Sequence, residues 1–219
     1  MTAASNPKLD QFLDLLLAAN ATMNLTRIVD REQARILHIE DSMTLLPFLP
    51  EGSIRIADVG SGGGVPGIIL AIVRPDAQVT LIESTGKKAA FCQSAAAELG
   101  LTNVKVLSHR AEDAGRGKSR ESFDIVVARA LGQMIWLVEW CLPLAKVGGK
   151  FLAMKGPKVQ EELPPAAAAI RKLGGGKPVI HPAAIAGAEG HVIVEIPKTG
   201  PTPAQFPRLP SFAKGKPMR

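Results

Sequence analysis

A glycine-rich segment, DVGSGGGVPG at positions 58–67, is the strongest chemical signal in the sequence. It directly follows an apolar, β-rich run at positions 54–59. Glycines allow a chain to turn sharply and to approach a ligand without a clash from a Cβ atom. A second acid, Glu83, ends the next β-rich run at positions 79–83, where a carboxylate can accept hydrogen bonds from the hydroxyls of a ribose. The loop and Glu83 together predict a site for a nucleoside cofactor.

Two cofactor classes compete for this loop. Gly62, Gly64 and Gly67 match the GxGxxG pattern of dinucleotide-binding proteins, which keeps an NAD-dependent oxidoreductase open. However, Asp58 places a carboxylate where a dinucleotide site must hold a pyrophosphate, and like charges repel. S-adenosylmethionine (SAM) has no phosphate and carries a sulfonium and an ammonium, which an acid favours. The register therefore favours SAM, with Asp58, Gly60, Gly62, Val65 and Glu83 as cofactor-binding candidates.

Further candidates stand where later strands end. After a run at positions 104–107, Ala111 and Glu112 are placed to reach the adenine end of a cofactor. Arg129 follows a central run at positions 123–128, and a guanidinium there can hold a phosphate, a base edge or the cofactor's carboxylate. The alternative is that Arg129 only pairs with a nearby acid, such as Glu112 or Asp58. Lys155 ends the next run and belongs to the same rim.

The elements that must position these residues alternate between strands and helices. This alternation predicts an α/β fold with a mostly parallel, seven-stranded sheet, Rossmann-like, as in the class I SAM-dependent methyltransferases. The last two strands are separated by a loop without a helix, which predicts an antiparallel edge hairpin. We expect three parts: an N-terminal helical extension (1–50) with a helix over 31–46, a SAM-binding domain (51–197) and a basic, proline-rich, extended tail (198–219).

Composition narrows the class of protein. The formal net charge is +6, and five basic residues and no acidic one occur from Lys198 onward, which predicts phosphate contacts by the tail. Two cysteines and four histidines indicate neither a disulfide framework nor a metal site. No apolar run is long enough to span a membrane, and the first residues do not resemble a signal peptide. We therefore expect a cytoplasmic protein without a metal.

The motifs that the sequence lacks restrict the chemical type of methyl acceptor. Amino-group methylases usually carry an Asp/Asn-Pro-Pro-aromatic turn after the fourth strand, and here positions 127–130 read VARA. Cys92 and Cys141 both fall within predicted helices, away from the loop position that a nucleophilic cysteine needs. A ring nitrogen such as guanine N7 needs no general base and fits these absences. A non-enzymatic RNA-binding module on the same fold stays open as an alternative.

The motifs, taken together, resemble the bacterial small-subunit ribosomal RNA guanine-N7-methyltransferase family, also called the glucose-inhibited division protein B family. The elements specific to this resemblance are Asn-Leu-Thr (24–26), His-Ile-Glu-Asp-Ser (38–42) and Ala-Arg-Ala (128–130), in this order and spacing. The glycine loop, Glu83-Ser84, Arg110-Ala111-Glu112, Lys155-Gly156 and Phe206-Pro207-Arg208 also match. The resemblance covers nearly the whole chain. The aromatic residues that often precede the Asn-Leu-Thr element are absent.

The resemblance implies a SAM-dependent enzyme that methylates N7 of one guanine in 16S ribosomal RNA near the decoding region. Its substrate would be that RNA or a precursor of the small ribosomal subunit, and we expect a monomer. Asp41 is a candidate partner for the N1/N2 edge of the guanine. The family's cofactor positions fall on Gly60, Val65, Ala111, Glu112 and Arg129, and its substrate or activity positions fall on Asn24, His38, Asp41, Arg110, Arg129 and Lys155.

Overall fold

A computed structural model describes residues 6–183, 185, 187, 189–209, 211 and 216–218. Its centre is a seven-stranded sheet in the order β3-β2-β1-β4-β5-β7-β6. All neighbouring strands are parallel except β7, which runs antiparallel to both β5 and β6. The predicted sheet and its antiparallel edge hairpin are confirmed. The strands are β1 Arg55–Val59, β2 Gln78–Ile82, β3 Val104–Leu107, β4 Phe123–Arg129, β5 Ala145–Lys155, β6 Val179–Pro182 and β7 Val192–Pro197.

Helices cover both faces of this sheet. Most follow the predicted pattern. The exception is the segment after the third strand, which was interpreted as a loop and which forms a helix over 111–116. Acids in its first turn, Glu112 and Asp113, favour a helix start there by complementing the helix dipole. The longer helices are α1 Pro7–Met23, α4 Gly67–Val73, α5 Gly86–Glu98, α6 Ala111–Arg116, α7 Met134–Cys141 and α8 Val159–Lys172.

The core lies in two layers because side chains of a strand alternate between the faces of the sheet. Ile56 and Leu81 face one layer, which also contains Phe12 and Leu16 of α1. Ala57 and Phe151 face the other layer, beneath α7 and α8. Helix α1 therefore shares its core with the sheet, and the three-part division of the chain stays a prediction.

The segment after α1 is not the continuous helix that we predicted over 31–46. It consists of α2 Arg31–Ala34, a π-helical turn at Arg35–Glu40 and a short α3 at Asp41–Met43. The backbone N–H of Asp41 donates to the carbonyls of Ile36 and His38 and skips that of Leu37. The Leu37 carbonyl is thereby left for another donor. Such π-turns inside helices are frequent at functional sites.

The C-terminal segment needs a correction. We expected an extended tail whose cations meet RNA, but Lys198 is 1% exposed, and Thr202 and Phe206 are 5% exposed each. The ammonium of Lys198 donates to the carbonyls of Leu142 and Leu173 and lies 3.3 Å from Glu121. Two of the tail's cations, Lys198 and Arg208, are thus paired with acids inside the protein.

Within the described ranges, no helix is long and apolar enough to cross a membrane.

Candidate active site

The glycine loop lies at the carboxyl end of β1 and forms the floor of a cleft. Gly60 and Gly62 have positive φ angles of 72° and 55°. A Cβ atom at Gly60 would overlap the side chain of Leu131, whereas one at Gly62 would meet no atom closer than 3.9 Å. The turn is closed by Gly64, whose N–H donates to the Ser61 carbonyl over 2.7 Å. The loop therefore presents bare backbone to the cleft at Gly62.

Asp58 lies beneath this loop, away from the walls of the described cavities. It is fully buried, and its Oδ2 atom accepts a hydrogen bond of 2.9 Å from the Gly67 N–H. Its Oδ1 atom has no partner among the described residues. Burial raises the pKa of Asp58 to about 7. The predicted direct contact of Asp58 with the cofactor is thus corrected, since its side chain instead holds the first turn of α4 to β1.

Glu83 stands at the end of β2, where the sequence predicted it. Its Oε2 atom accepts from the Gly62 N–H over 2.9 Å, and its Oε1 atom accepts from the Thr85 N–H over 2.7 Å. Each carboxylate oxygen can accept more than one hydrogen bond, so acceptor capacity is left for ribose hydroxyls. Glu83 is 6% exposed and lines the cleft.

Two cavities continue into one another along the carboxyl ends of β3, β2, β1 and β4. The larger, of about 1090 Å³, passes the glycine loop and reaches Arg129. The smaller, of about 120 Å³, lies at α6 and α7. They share Gly60, Ser84 and Leu131. The larger one is lined among others by Asn24, Thr26, His38, Gly62, Val65 and Glu83, and the smaller one by His109, Arg110, Ala111, Glu112 and Trp140.

The donor set of this cleft fits SAM better than a dinucleotide. In a dinucleotide site the N–H groups of the glycine loop bind the pyrophosphate, but here the Gly62 N–H is already held by the Glu83 carboxylate. A pyrophosphate would lie against that negative charge. Glu83 has acceptor capacity for a ribose, and Ala111 and Glu112 line the smaller cavity, where the sequence predicted the adenine. Arg129 lines the opposite end, where a carboxylate-bearing amino acid portion fits.

Arg129 joins the end of β4 to the π-helical turn. Its Nη1 atom donates to the Leu37 carbonyl over 2.6 Å and to Asp41 Oδ2 over 3.2 Å. Its Nη2 atom lies 3.0 Å from Nδ1 of His38. The acceptor at Leu37 is the carbonyl that the π-turn leaves available. Arg129 does pair with an acid, as the alternative allowed, but that acid is Asp41 and not Glu112 or Asp58.

The contact with Arg129 decides the state of His38. A guanidinium has no lone pair to accept with, so Nδ1 of His38 must be the acceptor and the ring must be neutral. Burial and then the charge of Arg129 lower the pKa of His38 to about 4, in agreement with this assignment. The ring proton therefore resides on Nε2, which lies 3.1 Å from Oγ1 of Thr26.

The two cavities described above together form the cofactor cleft. A separate cavity of about 480 Å³, called the second cavity, opens on the other side of Arg129. Its volume is in the range of pockets that enclose small molecules, about 300 to 1,000 Å³. Asp41 is 3% exposed there, and its Oδ1 atom lies 3.1 Å from Nδ1 of His191. Lys155 lines the same cavity and is paired with Glu162 over 2.7 Å. Arg129 and Ala130 line both this cavity and the cofactor cleft.

The structure therefore brings most predicted site residues to two spaces that lie on either side of Arg129. Asn24, at the end of α1, lines the cofactor cleft with a φ of 52°. Three residues of the site were missed by sequence reasoning: Thr26, Trp140 and His191. Trp140 and His191 stand in a helix and a hairpin whose chemistry only the folded chain brings to the cleft. Thr26 belongs to a motif that the sequence did single out.

Comparison with known proteins decides the family. Residues 5–185 match the profile of the family described as rRNA small subunit methyltransferase G. The chain belongs to this family. A relative of that name from Moorella thermoacetica is 43% identical over 96% of this chain and 89% of its own length. Another from Sorangium cellulosum is 48% identical over 74% of this chain and 69% of its own length. The chain is thus a SAM-dependent methyltransferase.

Solved structures agree on the fold. A SAM-dependent O-methyltransferase from Thermotoga maritima superposes with a TM-score of 0.57 at 18% identity, over 84% of this chain and 71% of that chain. TYW2 of M. jannaschii, in complex with AdoMet, has a TM-score of 0.56 at 18% identity over 72% of each chain. At such identities the likeness shows the shared methyltransferase fold.

Proposed function

We propose that this protein transfers a methyl group from SAM to N7 of a specific guanine in 16S ribosomal RNA near the decoding region. The observation that carries the proposal is the position of Arg129, which stands between the cofactor cleft and the cavity that contains Asp41. A base bound beside Asp41 in the second cavity therefore lies next to Arg129, and the cofactor cleft lies on the other side of Arg129.

Asp41 has the chemistry to select guanine. The Watson–Crick edge of guanine presents the N1–H and N2–H donors, which match the two oxygens of a carboxylate. In the free protein these oxygens are engaged by Arg129 and His191. N7 lies on the opposite edge of the base. A guanine read by Asp41 on one edge therefore directs N7 away from it, past Arg129 and into the cleft.

Methyl transfer to N7 requires no proton transfer by a side chain. SAM supplies an electrophilic methyl group on a sulfonium. The lone pair of N7 forms the new N–C bond as the C–S bond breaks, and the base gains one positive charge without releasing a proton. Asp41, on the far edge of the base, places a negative charge where that new cation is stabilised. Positioning is the main contribution of the protein.

The state of the titratable groups supports an acceptor that needs no general base. The lone pair of neutral His38 is used by Arg129, and its pKa near 4 makes it a weak base. Asp58 has the higher pKa but lies beneath the glycine loop, with 0% exposure. An acceptor with a free lone pair, such as N7, is compatible with both facts.

The basic rim of the two cavities supports an RNA substrate. Arg27 is exposed and Lys88 half-buried at the cofactor cleft, and Lys158 is exposed at the second cavity. Phosphate contacts of this kind position an RNA, while the cavity selects the base. We further propose that the protein acts as a monomer in the cytoplasm on the RNA or on a precursor of the small subunit.

The test is a methyl-transfer assay with labelled SAM. Its substrate is small-subunit RNA from a bacterial strain that lacks the modification. After digestion to nucleosides, we expect the label in N7-methylguanosine. Label in another nucleoside, or no label with protein that binds SAM, contradicts the proposal. The family match does not favour the two alternatives that the sequence left open, an NAD-dependent oxidoreductase and a non-enzymatic RNA-binding module.

A further inference from the structure

The hydroxyl of Thr26 has a hydrogen without an acceptor among the described residues. Its oxygen accepts a hydrogen bond of 3.1 Å from the Ile28 N–H. The Nε2 atom of His38 lies 3.1 Å away on another side. Because Arg129 uses the lone pair on Nδ1, the Nε2 atom carries the proton and donates to Thr26. Both lone pairs of the hydroxyl oxygen are then occupied, so its hydrogen must point elsewhere.

The direction left for this hydrogen is the cofactor cleft. Thr26 is half-buried and lines the larger cavity together with His38, the glycine loop and Arg129. The backbone at this position is fixed by Asn20, whose Oδ1 atom accepts hydrogen bonds from the Leu25 and Thr26 N–H groups over 2.7 and 2.9 Å. The hydroxyl is therefore a positioned donor with one role still open.

The sheet order indicates which part of the cofactor meets it. The adenine space lies at the end of β3, the ribose acceptor Glu83 at the end of β2, and Arg129 at the end of β4 on the other side of β1. A cofactor laid along this edge ends in its amino acid portion beside Arg129 and Thr26. That portion offers an ammonium, which only donates, and a carboxylate, which only accepts.

We infer that the Thr26 hydroxyl donates a hydrogen bond to the carboxylate of SAM, with neutral His38 holding the hydroxyl in that orientation. This inference rests on the cofactor of the proposed function and is independent of the RNA acceptor. Thr26 is thus a cofactor-binding residue, and His38 is a positioning residue that acts through it. The Asn-Leu-Thr element gains a chemical role at its third residue.

The experiment compares two ligands by titration calorimetry: SAM and decarboxylated SAM, which lacks the carboxylate. A hydrogen bond to a charged group changes affinity by about tenfold or more. We expect Thr26→Val to lower the preference for SAM over decarboxylated SAM by about tenfold. Thr26→Ser keeps the hydroxyl and is expected to keep the preference. Thr22→Val is the matched control, since the Thr22 hydroxyl is exposed and donates to the Ala19 carbonyl.

Equal losses for both ligands in Thr26→Val, or no loss at all, overturn the inference. If Thr26→Val fails to fold, Thr26→Ser and Thr26→Ala decide by the same ratio, since Ser keeps and Ala removes the hydroxyl. Wild-type protein that binds SAM with the expected ligand preference, but methylates no guanine, would refute the proposed function and leave the inference standing. An unchanged ligand ratio together with lost RNA methylation would place the hydroxyl on the RNA and refute the inference.

Discussion

Arg129 and Asp41 lie 3.2 Å apart, Nη1 to Oδ2, and join the end of the central strand β4 to a helical turn 88 residues earlier. The pair lies at the boundary of two spaces: Arg129 lines both the cofactor cleft and the second cavity, and Asp41 lines the second cavity. Its side chains are 19% and 4% exposed, so water screens it weakly. A guanine that engages Asp41 must rearrange this contact, which couples recognition of the base to the cofactor's end of the sheet.

Removal of Arg129 is expected to impair both stability and methyl transfer. Arg129→Ala leaves the carboxylate of Asp41 with His191 as its partner, and breaking a buried ion pair costs about 3 kcal/mol. We expect a loss of about that size in urea unfolding. Asp41→Asn combined with Arg129→Ala should recover part of it, since the unpaired charge is gone. Equal stability of the single and double variants would contradict this role.

The neutral state of His38 predicts a dependence of stability on pH. Its pKa is near 4 in the folded protein and 6.5 when unfolded, so the unfolded chain binds the proton more readily between these values. The contribution is complete above pH 6.5 and falls as the pH decreases through 4, by up to about 3 kcal/mol. His38→Gln should remove this slope. Parallel unfolding profiles of the variant and the wild type between pH 7 and 4 would refute it.

Asp58 predicts the opposite trend. Burial raises its pKa to about 7, so the folded protein favours the protonated acid. Its contribution is present at low pH and is lost as the pH rises through 7. The melting temperature of Asp58→Asn relative to the wild type should therefore increase between pH 5 and 8. Asp76→Asn is the control, since the Asp76 side chain is 41% exposed. A constant difference for Asp58→Asn would contradict the assignment.

Trp140 offers an optical signal for the adenine end of the cofactor. It lines the smaller cavity, whereas its stacked neighbour Trp136, with a centroid distance of 6.3 Å, does not. Binding of SAM should change the tryptophan fluorescence. Trp136→Phe should keep the change, and Trp140→Phe should abolish it. A signal that survives Trp140→Phe would place the adenine elsewhere.

The packing of the C-terminal segment changes what a truncation tests. The sequence predicted phosphate contacts by the tail, from which its deletion would be expected to weaken RNA binding alone. Removal of 199–219 also deletes the buried side chains of Phe206 and Met218 and the partner of Glu139, Arg208. Two large apolar side chains contribute about 3 kcal/mol or more. We expect a clearly lower melting temperature. Lys216→Ala, at an exposed position, is the control.

The strands and the glycine loop were predictable from sequence because they depend on local patterns. Runs such as 104–107 match β3, and the acid-glycine register indicated SAM correctly. The burial of Asp58 was not predictable. An acid near the end of a strand and directly before a glycine loop has the same local sequence whether its side chain points into the cleft or into the core. The π-turn at Arg35–Glu40 escaped prediction since its apolar spacing resembles that of an α-helix.

The partners of charged residues were the least predictable part. Asp41 meets Arg129 and His191 across distances of 88 and 150 residues in the sequence. Lys198 reads as a surface cation in sequence and is a buried anchor in the structure, because Glu121 and backbone carbonyls from distant elements surround it. The distribution of charged residues along the sequence identified the basic segment, but it did not show which of its cations are exposed and able to contact RNA.

The identity of the methylated atom is tested most directly with an RNA whose guanines lack N7. A small-subunit RNA fragment transcribed with 7-deazaguanosine keeps the Watson–Crick edge for Asp41 but carries a carbon at position 7. With labelled SAM, we predict transfer to the guanosine transcript and none to the 7-deaza transcript, while both bind with similar affinity. Equal labelling of the two RNAs would contradict methylation at N7.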